Sequence, residues 1–125
     1  MIVREESAQR SDTTRGVVTR EILKNAFRSI ADEMALTVIR TAHSQVVRDT
    51  MDFATVLLGP DGQVIAQGVT LPLHLGAMPD AMEAVLRKYG GDINPGDVFI
   101  LNDPDEGGMH LPDIFLFRPI FDGEH

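Results

Sequence analysis

Chemistry-bearing side chains crowd into one stretch near the C-terminal end. Between Leu101 and Asp113 lie Asn102, Asp103, Asp105, Glu106, His110 and Asp113, with Pro104, Pro112 and the pair Gly107-Gly108 among them. In His110-Leu111-Pro112-Asp113, an imidazole nitrogen and a carboxylate oxygen form a good donor pair for Zn²⁺, Mn²⁺ or Fe²⁺. A spacing of three would place both on one helix face, but Pro112 opposes a continuing helix and holds Leu111 extended. The two side chains must therefore converge through a turn. The competing reading is a surface histidine and an unrelated turn aspartate. Asp103 precedes Pro104 and is held extended, which limits where its carboxylate can point. Gly107-Gly108 permits close backbone approach, either to a ligand or to the rest of a tight turn. Asp105 and Glu106 read as solvated. Metal binding would relieve the repulsion among so many acids beside one histidine.

Other candidates are sparser. His74 sits in Leu71-Pro72-Leu73-His74-Leu75-Gly76, where it reads as a ligand, a general acid or a structural histidine. His43 follows a helical segment and suits its C-terminal dipole, and His125 is terminal. Ser44 lacks the G-x-S-x-G surroundings of an activated serine. Neither a phosphate-binding P-loop nor a dinucleotide glycine motif is present.

Several elements must position these residues. From about Thr19 to Ala42, Leu23, Phe27, Ile30, Met34 and Val38 follow the spacing of one helix face. Arg20, Glu21, Lys24, Asn25, Arg28, Asp32 and Glu33 form its wet side, with Thr19 as the expected N-cap. The segment Met34 to Ile39 is apolar nearly all round, which calls for cover on several sides, from further chain or another subunit. Residues 1–17 read as a flexible N-terminal arm, and 18–125 as the domain. Ser44 to Met51 breaks the helical pattern, with Arg48 and Asp49 exposed or paired. Phe53–Leu58 and Gln63–Gln67 read as strands joined by the turn Gly59-Pro60-Asp61-Gly62. Pro79 opens a second helix running to about Tyr89 and ended by Gly90-Gly91. Asn94-Pro95-Gly96-Asp97 then turns the chain into strand Val98–Leu101, and Ile114–Phe117 forms a strand beyond the acidic stretch. The order predicts an α+β fold with a mixed or antiparallel sheet.

Composition narrows the function classes. The 125 residues suffice for one domain with a modest core, and 43% are hydrophobic, as in a soluble globular protein. A net charge of −8, with 6 Phe, 1 Tyr and no Trp, argues against nucleic acid and anionic membranes as partners. No apolar run approaches the roughly 20 residues of a membrane span. With no cysteine, disulfides and thiolate metal sites are excluded, which fits a cytoplasmic setting.

Taken together, Asn102-Asp103-Pro104, Gly107-Gly108 and His110-Leu111-Pro112-Asp113 resemble the N-D-P-x-x-G-G-x-H-L-P-D signature of the hydantoinase B/oxoprolinase family. The segment from Glu21-Ile22-Leu23-Lys24-Asn25-Ala26 to Thr41 is similar to the family's opening helix. Asp52-Phe53, Gly62 to Gln67 and Leu73-His74-Leu75-Gly76-Ala77-Met78 resemble its next segments, so the likeness spans about residues 17–123.

The resemblance implies a B-type part of an ATP-dependent hydantoinase or 5-oxoprolinase. An A-type subunit would use ATP to phosphorylate a cyclic-amide substrate, and the B-type part would complete hydrolysis at a divalent-metal site. By the same resemblance, His110 and Asp113 match metal ligands, with Mn or Zn as the ion. Asp103 and His74 match residues at the catalytic pocket, and Asn102 shapes it. Asp105 stands where relatives commonly carry an aromatic residue. Family members are several times longer and draw a further metal histidine from downstream. The expectation is therefore an N-terminal, truncated segment of a hetero-oligomeric hydrolase, weak in metal retention and inactive alone. Two alternatives stand beside it: a non-catalytic interface fragment and a subunit of an acetone-type carboxylase.

Overall fold

The computed structural model describes residues 2–70 and 76–123, with side chains from Arg15 onward in the first helix. Element order is α1 (Ile2–Thr41), α2 (Gln45–Thr50), β1 (Val56–Leu58), β2 (Val64–Gln67), α3 (Met78–Tyr89), β3 (Phe99–Leu101), a single 3₁₀ turn (Pro104–Glu106) and β4 (Phe115–Phe117). The fold is α+β, as the sequence order predicts. Among the described residues the strands form two separate antiparallel pairs, β1–β2 and β3–β4, rather than one sheet. No described helix is long and apolar enough to cross a membrane.

Helix α1 begins at Ile2 rather than at Thr19. Nothing between these positions forces a break: the stretch contains no proline, and its Arg, Glu, Gln and Ala residues are good helix formers against a single glycine, Gly16. Thr19 is therefore an interior residue and not a cap. The buried face of α1 also differs from its apolar stripe. Ala31 and Ala35 are buried, whereas Leu23, Ile30 and Met34 remain 50, 46 and 38% exposed. Phe27 and Val38 of the same stripe are half-buried.

Small residues allow α1 to approach the β1–β2 hairpin closely. Buried Thr55 donates its hydroxyl to the Ala31 carbonyl at 2.9 Å. Gly68 lies at the same point, where a Cβ would stand 2.4 Å from Thr55 Oγ1 and 2.6 Å from the Ala31 oxygen. Asp32 Oδ1 accepts the Val69 N–H at 2.8 Å, a second tie between helix and hairpin. The hairpin turn forms as its composition requires. Gly62 takes φ +79°, and Gly59 N–H donates to the Gln63 carbonyl at 2.8 Å.

The Ser44–Met51 stretch, read from sequence as a break, contains helix α2. Ser44 caps it by accepting the Val47 N–H, and Met51 ends it in left-handed geometry, φ +52°. Six residues are too few to show a helical period, so the pattern gave no signal there. Arg48 and Asp49 are both exposed and paired, 3.0 Å apart.

The main apolar cluster lies between α3 and the β3–β4 pair. Ala77, Ala81, Val85, Phe115 and Phe117 are buried, with Leu58, Met78, Met82, Phe99 and Leu101 packed against them. Register pairs Phe99 with Phe117 and Leu101 with Phe115 on the covered face. Alternation turns the intervening pair outward, so Ile100 and Leu116 are 72 and 64% exposed. Helix α3 has proline in its first turn and ends with Gly90 as C-cap, although Gly90 stays right-handed at φ −56°.

Candidate metal-binding loop

The loop from Asn102 to Asp113 leaves β3 and returns in β4, so both ends are anchored in the aromatic cluster. Asp103 shapes its first half. The Asp103 carboxylate accepts the Asp105 N–H at 3.0 Å, and its carbonyl accepts from Glu106 and Gly108 N–H, each at 3.1 Å. This caps the 3₁₀ turn in the manner expected of an aspartate before proline. No hydrogen bond or ion pair links Asp103 to His110 or Asp113 among the described residues.

The glycine pair serves packing within the molecule. Gly107 has φ +98°, and a Cβ there would lie 2.5 Å from the Ala81 nitrogen and 2.7 Å from the Asp80 carbonyl carbon. At Gly108 a Cβ would stand 2.9 Å from the Asp103 carbonyl oxygen. The loop thus lies directly on the first turn of α3, which only glycine permits. Glu106, read from sequence as solvated, forms an ion pair with Arg87 of α3. Asp105 is exposed, as expected.

The second half brings His110 and Asp113 together through a turn. Asp113 N–H donates to the His110 carbonyl at 3.0 Å, and His110 N–H donates to Asp113 Oδ2 at 3.1 Å. The same Oδ2 lies 3.3 Å from His110 Nδ1. The carboxylate side chain is the more sheltered, 19% exposed against 57% for the imidazole.

Two chemistries fit this contact. With a proton on Nδ1, the imidazole donates to Asp113 and leaves Nε2 free to accept or bind. Without it, Nδ1 and Oδ2 are adjacent donors for one cation. Two donors held about 2.0–2.2 Å from one tetrahedral Zn²⁺ stand roughly 3.3–3.6 Å apart, so the observed separation suits chelation. Donor type and spacing therefore fit a divalent metal. No group of three or more His, Cys, Asp or Glu residues among those described could hold the ion. His74 lies outside the described residues, as does His125.

Sequence reasoning missed the residues that place the loop and the hairpin. Arg87–Glu106, Thr55–Ala31 and Asp32–Val69 join positions 19, 24 and 37 residues apart. Such long-range pairs leave no local periodicity, and only Gly107-Gly108 hinted at close packing.

Comparison with known proteins decides the ancestry of this loop. The hydantoinase B/oxoprolinase family model matches residues 17–125, so it contains β3, the loop and β4 together with most of α1. The chain belongs to the hydantoinase B/oxoprolinase family. Within that family it is 37% identical to 5-oxoprolinase 1 of Arabidopsis thaliana over 116 residues, which are 93% of this chain and 9% of that protein. It is 37% identical to the 5-oxoprolinase of Saccharomyces cerevisiae over 100 residues, 80% of this chain and 8% of the other. Caprolactamase subunit beta of Pseudomonas jessenii is 33% identical over 104 residues, 83% of this chain and 18% of that subunit. The chain spans less than a fifth of each of these relatives. No solved structure gives a significant match.

Proposed function

We propose that this chain contributes His110 and Asp113 to the divalent-metal centre of an ATP-coupled cyclic-amide hydrolase. The observation that carries the reading is the 3.3 Å approach of His110 Nδ1 to Asp113 Oδ2, inside the stretch matched by the family. Relatives named as 5-oxoprolinases and as a caprolactamase subunit support a cyclic amide as substrate. The word subunit in the latter name supports work within a hetero-oligomer. The partner in this reading is an A-type subunit that uses ATP to phosphorylate the substrate. The absence of cysteine suits a cytoplasmic setting.

When bound, Mn²⁺ or Zn²⁺ would polarise the substrate's carbonyl or activate water. The chain's own contribution is positional. The His110 N–H holds the Asp113 carboxylate toward the imidazole, while Asp103 caps the 3₁₀ turn and Gly107 seats the loop on α3. Rigid support of this kind limits the reorganisation needed when a ligand binds. His74 is assigned to the same pocket through the resemblance of His74-Leu75-Gly76-Ala77-Met78 to the family's corresponding segment.

The two protein donors brought together among the described residues fall short of the three that catalytic zinc sites usually have. This chain by itself should therefore give no turnover with ATP and hydantoin, 5-oxoproline or caprolactam. Calorimetric titration with Mn²⁺ and Zn²⁺ tests the donor pair directly. His110→Ala and Asp113→Ala should each weaken binding by about ten-fold or more. Unchanged affinity in both variants would remove the pair from the site.

A second reading, an interface fragment without catalysis, draws on the exposed apolar residues of α1 and of the outer β3–β4 face. Complete absence of metal binding in the same titration would favour it.

A further inference from the structure

A groove of about 720 Å³ runs between α1 and β2 and shares no lining residue with the aromatic cluster that anchors the His110 loop. Its lining combines Leu23, Phe27 and Ile65 with Arg15, Arg20 and Lys24. Leu23 and Ile65 are about half exposed, so the apolar part is open to a partner. Lys24 stands 3.6 Å from Glu21, an exposed contact of little strength. Arg15 and Arg20 have no ion pair among the described residues.

Three cations around an apolar groove stand out on a chain whose net charge is −8. We propose that this groove docks an acidic amphipathic helix of a partner protein. The charge balance selects among anionic occupants. Nucleic acid or an anionic bilayer would confront the acidic surface as a whole and be repelled. A short segment feels mainly the charges within a Debye length of about 8–10 Å, and around the groove Arg15, Arg20 and Lys24 outnumber Glu21. The apolar component requires anchors as well as charge. Leu23, Phe27, Ile30 and Met34 continue along one side of α1 at helical spacing, a reach of about 16 Å. That matches a three-turn helix with anchors at i, i+3 or i+4, and i+7. A second copy of this chain is a poor occupant. Its own amphipathic helix, α3, carries two basic residues, Arg87 and Lys88, against two acids, Asp80 and Glu83, and has Ala81, Ala84 and Val85 buried.

The test places the photoreactive amino acid p-benzoylphenylalanine at position 23 of the intact chain. The cells that produce it are irradiated, and the crosslinked peptide is sequenced by mass spectrometry. The expected product is a peptide of another protein, with apolar residues at helical spacing flanked by Asp and Glu. Its yield should fall about ten-fold in the Arg20→Glu, Lys24→Glu background. Both changes are on exposed positions, so circular dichroism of the variant should be unaltered. A crosslink to this chain's own sequence, to lipid or to nucleic acid overturns the proposal. So does the absence of any crosslink, or a yield that survives charge reversal in the folded variant. The inference is independent of the metal reading, since neither His110 nor Asp113 lines the groove.

Discussion

The two halves of the molecule are assembled on different principles. At the α1–hairpin joint, Ala31, Ala35, Thr55 and Gly68 bring backbones close, and specific hydrogen bonds hold them. At the α3–β3–β4 joint, Phe115 and Phe117 supply apolar bulk, with ring centroids 6.4 Å apart. The first joint leaves the larger side chains of α1 uncovered, whereas the second buries its own. The family's acidic loop is anchored on the second. A metal ligand needs a support that does not shift, and an aromatic cluster closed on both loop ends gives one.

The largest expected effect tests that support. Phe115 is 4% exposed and directly follows the loop. Phe115→Ala should lower unfolding free energy by about 3–5 kcal/mol, through lost burial and the cavity left behind. Metal affinity should fall with it, since β4 anchors the Asp113 side of the turn. Urea unfolding and calorimetry on the same variant measure both. Full affinity in a destabilised variant would show that the loop is organised independently of the cluster.

Gly68→Ala addresses the other joint. Its new methyl would meet Thr55 Oγ1 and the Ala31 carbonyl, both well inside contact distance. The helix and hairpin must separate, or the Thr55 hydrogen bond must break, at a cost of about 1–3 kcal/mol. Hydrogen exchange should then speed up at Val69, whose N–H is held by Asp32 of α1. Metal affinity should fall less than in Phe115→Ala, because Gly68 meets Thr55 and Ala31 rather than the loop, and the hairpin meets the aromatic cluster at Leu58. A large loss of affinity would mean that the two halves are coupled.

These differences explain what could be read from the sequence. The α3 boundaries, the Gly59-Pro60-Asp61-Gly62 hairpin turn and the His110–Asp113 convergence follow from proline, glycine and short spacings, which act locally. The buried side of α1 did not follow. Apolar periodicity points to Leu23, Ile30 and Met34, but close approach to the hairpin selects Ala31 and Ala35, whose small size is no hydrophobic signal. Helix α2 was missed because one and a half turns carry no period. The Arg87–Glu106 pair was missed because it is defined only once the loop folds over α3.

That pair supplies the finest test of the comparison. Arg87 and Glu106 join the loop to α3, but their side chains are 62 and 43% exposed. Exposed ion pairs contribute little after side-chain ordering and screening, roughly 0–1 kcal/mol. Gly107, by contrast, fits against the backbone of Ala81 with no room for a methyl group. If packing rather than charge seats the loop, Arg87→Ala, Glu106→Gln and the double variant should each change stability by less than about 1 kcal/mol. The coupling extracted from the double-mutant cycle should vanish in high salt, because surface attraction is screened. A coupling that persists in salt and lowers metal affinity would make the ion pair a true support of the site. The loop would then depend on charge at its outer edge as well as on close glycine packing beneath it.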